Sequence, residues 1–401
     1  MVFCFPVSLA RGGGHVAAAS EAPPPAAAIA KETAREAPAR ISPGRGAVSS
    51  TNVAHEETCG SEVLMLGSIC SGIGVCHRAA AVVNASNAGV LTLRDAFACE
   101  IDRHARKVLT ADFPELRLFG DICEDGVRLP LCDVLTVGFA CQPFSPANRR
   151  RKGSLDERCR VVAHVIRYIE RATPSMVVME NVVGLLSHGR EVFTNLVQHL
   201  QAAGYSIAMR VLRSEVHGGV PQRRHRLFVV ALRSPTRAMV WPGSIPMRSL
   251  PSILGDDVGP QGARPSAPRA AAKIDAVECS LAPCGVTEDE SAHMVVNCHS
   301  QLGKLFIGKT PCLTANRGGQ GGFWLMGRRR MMHLDELLLL QGIEPASTRI
   351  HTTVSFRQAG FLIGNAFTLP LIARVLVCGL RAVGFEAVDP IEPSCMATAE
   401  T

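Results

Sequence analysis

The chain has 401 residues, of which 47% are hydrophobic and 19% charged, and no uninterrupted apolar run approaches the roughly 18 residues of a membrane span. This composition is typical of a soluble globular protein with one large or two modest domains, and it argues against a membrane protein. The formal charge of +7, from 42 Lys and Arg against 35 Asp and Glu, permits a polyanionic partner without requiring one.

The 15 cysteines are odd in number and scattered, mostly within apolar segments. This pattern favours a reducing compartment over a secreted disulfide framework. Five side chains that could bind zinc lie close together in sequence: Cys279, Cys284, Cys298, His299 and Cys312. Their spacing matches no common zinc finger, so isolated thiols are the preferred interpretation and no metal site is predicted.

Residues 1–60 are rich in Ala, Pro and Gly and have neither helical nor strand periodicity. We predict that this segment is disordered. An organelle-targeting peptide is the less favoured interpretation, because the segment contains a proline run and several glutamates.

Short apolar runs alternate with helical segments over residues 61–232. The predicted strands are 63–66, 95–100, 133–138, 176–180, 205–212 and 226–232, and the predicted helices are 75–82, 103–112, 158–172 and 191–203. Such alternation predicts an α/β domain: a Rossmann-like, doubly wound and mostly parallel sheet with helices on both faces.

The periodicity stops after Leu232 and resumes near residue 330. We therefore predict that 233–329 are a small, irregular domain inserted into the α/β domain. Residues 330–386 would then return to the first domain, and 387–401 would be a disordered tail.

Three predicted strands end in residues suited to a nucleoside-like ligand. The first is followed by the turn Ser71-Gly72-Ile73-Gly74, where glycines let a ligand approach the backbone. Glu100 ends the second strand, a position from which a carboxylate can bind both ribose hydroxyls. Asp121 follows another short run and could face an adenine amino group. Ordinary turn or capping roles for the glycines and for Asp121 remain equally open.

The stretch "GFACQPFS" places Cys141 after an apolar strand and before four cations, Arg149 to Lys152. Neighbouring positive charge favours a thiolate, so Cys141 is a candidate nucleophile, with a buried inert thiol as the alternative. Glu180 ends the next strand at the same sheet edge and could hold or deliver a proton.

The segment "VPQRRHRLFVV" projects Gln222, Arg224 and Arg226 towards this edge. Alternation along a strand places Arg224 and Arg226 on one face. A nucleophile, an acid and an arginine pair are thus predicted to converge.

In this order, the motifs "SICSGIG", "ACEID", "GFACQPFS", "MENV", "VPQRRHRLFVV" and "IGNAF" resemble those of the DNA (cytosine carbon-5) methyltransferase family, from about Leu64 to Phe385. Two positions depart from the family pattern. Ala140 stands where proline usually precedes the catalytic cysteine, and Cys70 stands where a phenylalanine usually packs on the cofactor.

The resemblance implies a role for each matching residue. It assigns catalysis to Cys141, Glu180, Arg224 and Arg226. It assigns S-adenosylmethionine binding to Ser71, Gly72, Ile73, Gly74, Glu100, Ile101, Asp121, Ile122, Asn365 and Ala366. It assigns DNA contacts to Gln142, Ser145, Arg149, Arg150, Arg151 and Gln222. It also implies that the inserted domain, residues 233–329, is the target recognition domain.

The activity that the resemblance implies is methyl transfer from S-adenosylmethionine to carbon 5 of a flipped-out cytosine in double-stranded DNA, through a covalent adduct of Cys141. Two alternatives are a tRNA methyltransferase of the same fold and a catalytically weak, methyltransferase-like partner that binds DNA. We expect an intracellular protein, in the nucleus of a eukaryote or otherwise in the cytoplasm.

Overall fold

The computed structural model of the chain describes residues 62–139, 160–255, 265, 267–300, 303–315 and 322–391. Strands and helices alternate along its first part. They are β1 (Glu62–Ile69), α1 (Val75–Ser86), β2 (Leu91–Cys99), α2 (Arg103–Asp112), β3 (Leu118–Phe119), β4 (Val134–Val137), α3 (Arg160–Ala172), β5 (Met176–Asn181), α4 (Leu185–His188), α5 (Arg190–Ala202), β6 (Tyr205–Arg213), α6 (Ser214–His217), β7 (Gln222–Arg223) and β8 (His225–Arg233).

The second part contains shorter strands followed by a run of helices. These are α7 (Pro268–Leu281), α8 (Glu288–Ala292), β9 (Met294–Asn297), β10 (Lys304–Ile307), β11 (Thr310–Pro311), β12 (Phe323–Leu325), β13 (Arg330–Met331), α9 (Leu334–Leu339), α10 (Ile350–Thr353), α11 (Phe356–Asn365) and α12 (Leu369–Ala382).

The main sheet has seven strands in the order β3-β2-β1-β4-β5-β8-β6. The first five are mutually parallel, whereas β8 runs antiparallel to both of its neighbours. The predicted α/β class with a doubly wound, mostly parallel sheet is therefore confirmed. The direction of β8 was not predicted, because a strand's sequence pattern carries no information about its direction.

Helices cover both faces of this sheet. β4 and β5 are buried at every position, as expected for central parallel strands between two helical layers. One apolar cluster joins α1 and α12 to one face, and a second joins α3 and α5 to the other. These layers hold the carboxyl ends of the strands at one fixed edge.

The region between 233 and 329 is more regular than predicted. β10, β9, β12 and β13 form an antiparallel sheet, and α7 packs on it around Trp324 and Ile274. These strands have two to four residues, too few to produce a periodic signal.

The last two helices are strongly apolar. The stretch from Phe356 to Ala382 is apolar enough to cross a membrane by composition, but 72% of its most apolar window is buried inside the protein. Core helices have this same character. The chain also breaks the stretch into α11 and α12.

Part of the predicted disordered tail is ordered. Asp389 is buried and pairs with Arg374 Nε at 2.8 Å, and Ala387 is also buried. The buried ion pair between Asp389 and Arg374 of α12 therefore fixes residues 387–391. Such a pairing cannot be predicted from the sequence pattern. Residues 392–401 and the predicted N-terminal segment 1–60 lie outside the described residues.

Candidate active site

The strand order fixes where a ligand can bind. β1 and β4 are neighbours at the middle of the sheet, and the chain proceeds from them in opposite directions, to β2 and to β5. In doubly wound sheets, ligands bind in the crevice outside the carboxyl ends at such a switch point. The predicted cofactor residues follow β1, β2 and β3, whereas Glu180 lies in β5 and the chain leaving β4 leads to position 141.

The turn after β1 is left-handed at three positions. The φ angle is 56° at Cys70, 55° at Gly72 and 77° at Gly74. A Cβ on Gly74 would lie 2.6 Å from the Phe113 ring, whereas the space beside Gly72 is open. Gly74 therefore serves close packing against α2, and Gly72 exposes backbone to a ligand.

Glu100 braces this turn. Its Oε2 accepts a hydrogen bond from the Gly72 amide at 2.7 Å, and its Oε1 accepts one from the Asp102 amide at 2.8 Å. Burial raises the pKa of Glu100 above its ordinary value, although these backbone bonds oppose the shift. Each oxygen keeps a lone pair that a ribose hydroxyl could use.

A cavity of about 320 Å³ opens at Cys99 and Ile101, the two residues that flank Glu100 in sequence. It is lined by Ile69, Cys70, Cys99, Ile101, Gly120, Asp121, Ile122, Cys123, Arg160 and Val161. The Ile101 side chain is 69% exposed and is free to cover a flat ring. The cavity thus gathers three predicted cofactor residues, Ile101, Asp121 and Ile122.

Two predicted cofactor residues have other roles in this structure. Asp121 Oδ1 accepts a hydrogen bond from the Cys123 amide at 2.8 Å, so it also caps a turn, as the alternative interpretation expected. The Ile73 side chain is buried in the core. Only the backbone of Ile73 is therefore available to a cofactor.

The candidate acid and arginine meet at the ends of β5 and β8. Arg226 Nε lies 3.0 Å from Glu180 Oε1, and Glu180 is only 8% exposed. Arg226 Nη1 also donates to the His225 carbonyl at 2.9 Å. The arrangement fixes a carboxylate and a guanidinium side by side, which can recognise adjacent hydrogen-bonding groups on one planar base.

Arg224 approaches the same carboxylate but is almost wholly buried. Its Nη2 lies 3.9 Å from Glu180 Oε1. Its guanidinium donates to the carbonyls of Leu313 (2.9 Å), Gly364 (3.3 Å) and Ala366 (2.7 Å). Arg224 is therefore placed to position loops around the site rather than to touch a substrate.

Gln222 does not fit its predicted DNA contact. It has no exposed surface, its amide nitrogen donates to the Leu340 carbonyl at 2.8 Å, and its oxygen accepts from the Leu313 amide at 2.8 Å. A side chain so enclosed cannot reach a phosphate or a base. Its position in β7, which pairs with β11, explains the burial.

The segment after α11 packs near the end of β4. Asn365 is the exposed last residue of α11, and the Ala366 carbonyl accepts from Arg224. A Cβ on Gly138 would lie 2.8 Å from the Phe367 ring. The segment thus supports the strand that leads to position 141, and no contact of Asn365 or Ala366 with the cofactor cavity is seen.

Comparison with known proteins gives a family match for part of the chain. Residues 64–253 match the sequence model of the C-5 cytosine-specific DNA methylases. The likeness to this family thus covers the main sheet and ends soon after it.

Two curated relatives illustrate the likeness. The type II methyltransferase M.BsuFI of Bacillus subtilis is 35% identical over 136 residues, which cover 33% of this chain and 32% of the relative. The type II methyltransferase M.NlaX of Neisseria lactamica is 34% identical over 140 residues, which cover 34% of this chain and 44% of the relative. The match therefore spans less than half the length of these relatives.

Solved structures share the fold. The methyltransferase EhMeth of Entamoeba histolytica superimposes with a TM-score of 0.59 at 16% identity, over 80% of this chain and 99% of that one. The Dnmt2 methyltransferase of S. pombe gives 0.55 at 15% identity, over 81% and 100%. At such identities the likeness shows the fold alone.

Methylases of this family take their methyl group from S-adenosylmethionine, and the cavity beside Glu100 suits that molecule. The open space beside Gly72 lets the cofactor approach the protein backbone. Glu100, which accepts a hydrogen bond from the Gly72 amide, offers further carboxylate lone pairs. Ile101 and Ile122 supply apolar contact for a ring. The residues present therefore fit the group.

Six of the predicted site residues lie outside the described part of the chain: Cys141, Gln142, Ser145, Arg149, Arg150 and Arg151. The strand end before them is firmly held. The Gly138 amide donates to the Ile69 carbonyl at 3.2 Å, and Asn181 Nδ2 donates to the Phe139 carbonyl at 3.1 Å. The roles predicted for these six residues stay predictions.

The cysteines weighed as zinc ligands are not gathered among the described residues. No group of three or more His, Cys, Asp or Glu side chains there could hold a metal ion. Cys279 and Cys284 are exposed, and Cys298 is buried in the core around Trp324. Cys312 Sγ instead lies 3.7 Å from the guanidinium groups of both Arg224 and Arg226.

Sequence reasoning missed several residues at the site. Cys99, Gly120, Cys123 and Arg160 line the cofactor cavity, and Cys312 lies beside the arginine pair. Cys99 and Cys123 are adjacent to predicted residues at strand ends, which was a usable signal. Arg160 and Cys312 are far from the motifs in sequence, so only the fold brings them there.

Proposed function

We propose that the protein transfers the methyl group of S-adenosylmethionine to carbon 5 of cytosine in DNA. The observation that supports this most directly is the 3.0 Å pairing of Arg226 with Glu180. It lies at the sheet edge where β4 leads to Cys141, on the other side of the switch point from the Glu100 cavity.

The roles follow from the chemistry of a cytosine ring. The Cys141 thiolate attacks carbon 6 and forms a covalent bond, which pushes electron density into the ring. Glu180 hydrogen-bonds ring nitrogen 3 and the exocyclic amine, and so stabilises that charge as it develops. Arg226 holds the carbonyl oxygen and orients the base over the thiol.

The remaining steps restore the aromatic ring. Carbon 5 receives the methyl group, a base removes the carbon 5 proton, and the electrons of that bond re-form the double bond as the thiolate of Cys141 leaves. When bound, S-adenosylmethionine supplies an electrophilic methyl group at this point. Glu100 and the Gly72 amide orient its adenosyl part.

The substrate in this proposal is double-stranded DNA. The reacting atoms lie inside the base stack, so the target cytosine must leave the helix, at a cost of a few kcal/mol. Contacts with phosphates would offset that cost, and the cations 149–151 are placed by sequence to make them. A DNA substrate implies a location with DNA, which is the nucleus in a eukaryote.

Transfer of radioactive methyl groups from S-adenosylmethionine to duplex DNA tests the proposal. We expect incorporation into DNA, at positions that bisulfite sequencing reports as 5-methylcytosine. Methylation of tRNA but not DNA would instead identify the RNA-modifying alternative. No incorporation into either would favour a non-catalytic DNA-binding partner.

The nucleophile has its own test. DNA that contains 5-fluorocytosine should trap a covalent adduct, because the fluorine cannot leave as a proton does, and Cys141→Ser should abolish trapping while cofactor binding persists. Peptide mapping of the adduct to another residue would contradict the assignment of Cys141.

A further inference from the structure

A buried chain of hydrogen bonds runs from the surface to the turn that follows β1. His77 Nδ1 lies 2.6 Å from Asp95 Oδ1, and His77 Nε2 lies 2.8 Å from Ser68 Oγ. Ser68 Oγ in turn lies 2.5 Å from Ser71 Oγ. The His77 side chain has no exposed surface, whereas 32% of the Asp95 side chain is exposed. His77 and Ser68 are therefore buried, whereas Asp95 and Ser71, at the two ends of the chain, are partly exposed.

When His77 is neutral, the hydrogens available on each side chain determine which group donates in each hydrogen bond. The Asp95 carboxylate can only accept, so His77 Nδ1 carries the proton and Nε2 is an acceptor. The Ser68 hydroxyl must then donate to Nε2. Its own proton being used, Ser68 Oγ can only accept from Ser71 Oγ, whose hydroxyl also reaches the Ser68 carbonyl at 3.1 Å and the Cys99 carbonyl at 3.2 Å. The donors of Ser68 and His77 therefore both point towards Asp95.

The inner end of the chain fixes the turn to β2. Ser71 Oγ also accepts a hydrogen bond from the Cys99 amide, which lies 3.1 Å away. The Ser71 amide donates to the Cys99 carbonyl at 3.2 Å. The next amide along, that of Gly72, reaches Glu100. Ser71 is thus the junction between the buried chain and the residues of the cofactor site.

The backbone of this turn needs such support. Cys70 has a φ of 56°, a left-handed conformation that is strained for a residue with a side chain. Strain of this kind persists where the surrounding contacts determine the conformation. Without the buried chain, the turn has fewer contacts to hold the Gly72 amide and Glu100 in register.

We propose that His77 is a positioning residue for cofactor binding. Paired with Asp95, it orients the Ser68 and Ser71 hydroxyls and so holds the strained turn in the form that binds the adenosyl part of S-adenosylmethionine. This inference rests on the proposed function. His77 itself lies in the core against Phe113 and does not line the cavity, so it acts through Ser71.

Calorimetric titration with S-adenosylmethionine tests the proposal on the full chain. His77→Leu keeps an apolar side chain in the core but removes both nitrogens, and we expect affinity to fall about tenfold. Asn87→Ala is the matched control, because Asn87 is equally buried at the other end of α1, where its amide bonds Val83 and Val388. We expect it to lower stability to urea without changing affinity.

A double variant separates positioning from general loosening of the fold. If His77 acts through Ser71, then His77→Leu combined with Ser71→Ala should weaken binding by less than the product of the two single effects. Should His77→Leu fail to fold, His77→Asn retains a donor for Asp95 while losing the acceptor for Ser68. It should give the same loss of affinity.

The possible results distinguish failure of the positioning role from failure of the methylase proposal. Affinity unchanged in the His77 variants, or effects of His77 and Ser71 that simply multiply, would overturn the positioning role while leaving the methylase proposal intact. Absence of any S-adenosylmethionine binding by the wild type would overturn both, and it would do so before any variant is compared.

Discussion

At the scale of single residues, Glu100 shows how one side chain serves both fold and ligand. Its two oxygens accept backbone hydrogen bonds from Gly72 and Asp102, which lie on either side of it in the crevice. The same burial that raises its pKa also removes water that would compete with a ribose for its lone pairs. The residue is therefore most useful when ionised.

Removal of the carboxylate should weaken cofactor binding. We expect Glu100→Ala to cost about 1–3 kcal/mol of S-adenosylmethionine affinity, through loss of charge-assisted hydrogen bonds. Acidification should protonate Glu100 and so weaken cofactor binding by the wild type. Because the pKa of Glu100 is raised in the free protein, this loss of affinity should begin at a higher pH than it would for a glutamate of ordinary pKa.

Calorimetry across the acidic range checks both parts of this prediction. In Glu100→Ala the part of the pH dependence due to this carboxylate should be absent. Equal affinity of the two proteins at neutral pH would contradict the role of Glu100.

Ala140 departs from the family pattern, in which proline precedes the catalytic cysteine. Ala140 leaves the unfolded chain freer than proline would, a handicap of about 0.4–1 kcal/mol where the native φ suits proline. We expect Ala140→Pro to raise the methylation rate by less than about tenfold, ~1.4 kcal/mol of barrier. Single-turnover methylation of a duplex compares the two. A silent wild type rescued a thousandfold would instead favour the non-catalytic alternative.

At the scale of elements, Arg224 joins three segments that are distant in sequence. From the short link between β7 and β8 it reaches the carbonyls of Leu313, Gly364 and Ala366. It thereby connects the end of the inserted region and the end of α11 to the strand that carries Arg226. The geometry of the Glu180–Arg226 pair depends on this connection.

Loss of the Arg224 guanidinium should be strongly destabilising. Arg224→Met keeps much of the volume but leaves buried carbonyls without a donor, and we expect the free energy of unfolding to fall by about 3 kcal/mol. Arg223→Met is the control, since Arg223 is exposed and its loss should change stability by less than ~0.5 kcal/mol. Urea denaturation measures both, and similar midpoints for the two variants would argue against a bracing role.

At the scale of the whole molecule, the C-terminal helix completes the core. α12 is buried on nearly all sides, and it packs against α1 and the strands β5 and β8. A Cβ on Gly379 in this helix would lie 2.1 Å from Met176 Sδ in β5. The return of the chain to the first domain is therefore part of what holds β5, and with it Glu180, in place.

A larger side chain at this contact should loosen the molecule. Gly379→Val would be expected to help an isolated helix slightly, but the overlap with Met176 should lower the free energy of unfolding by about 1–3 kcal/mol. Gly243→Ala is the matched control, because no atom lies within 4 Å of the added Cβ. Thermal or urea unfolding measures the stability of both variants. Equal free energies of unfolding for Gly379→Val and the control would contradict close packing of α12 on β5.

The features that depend on local pattern could be predicted from the amino-acid sequence. Alternating apolar runs and helical segments predicted the doubly wound sheet, and residues at strand ends predicted the cofactor turn, Glu100 and Glu180. Parallel strands bring their carboxyl ends to one edge, so position along the chain was enough to predict that these residues share an edge.

The environment of the buried polar residues depends instead on contacts between distant segments. Gln222 and Arg224 are polar and look like substrate contacts in sequence, yet both are buried because β7 pairs with β11 and the loops at 313 and 364–366 close over them. These partners lie about 90 to 140 positions away in the chain. Local periodicity contains no information about such pairings, which arise only when distant backbone carbonyls must find donors inside a common core.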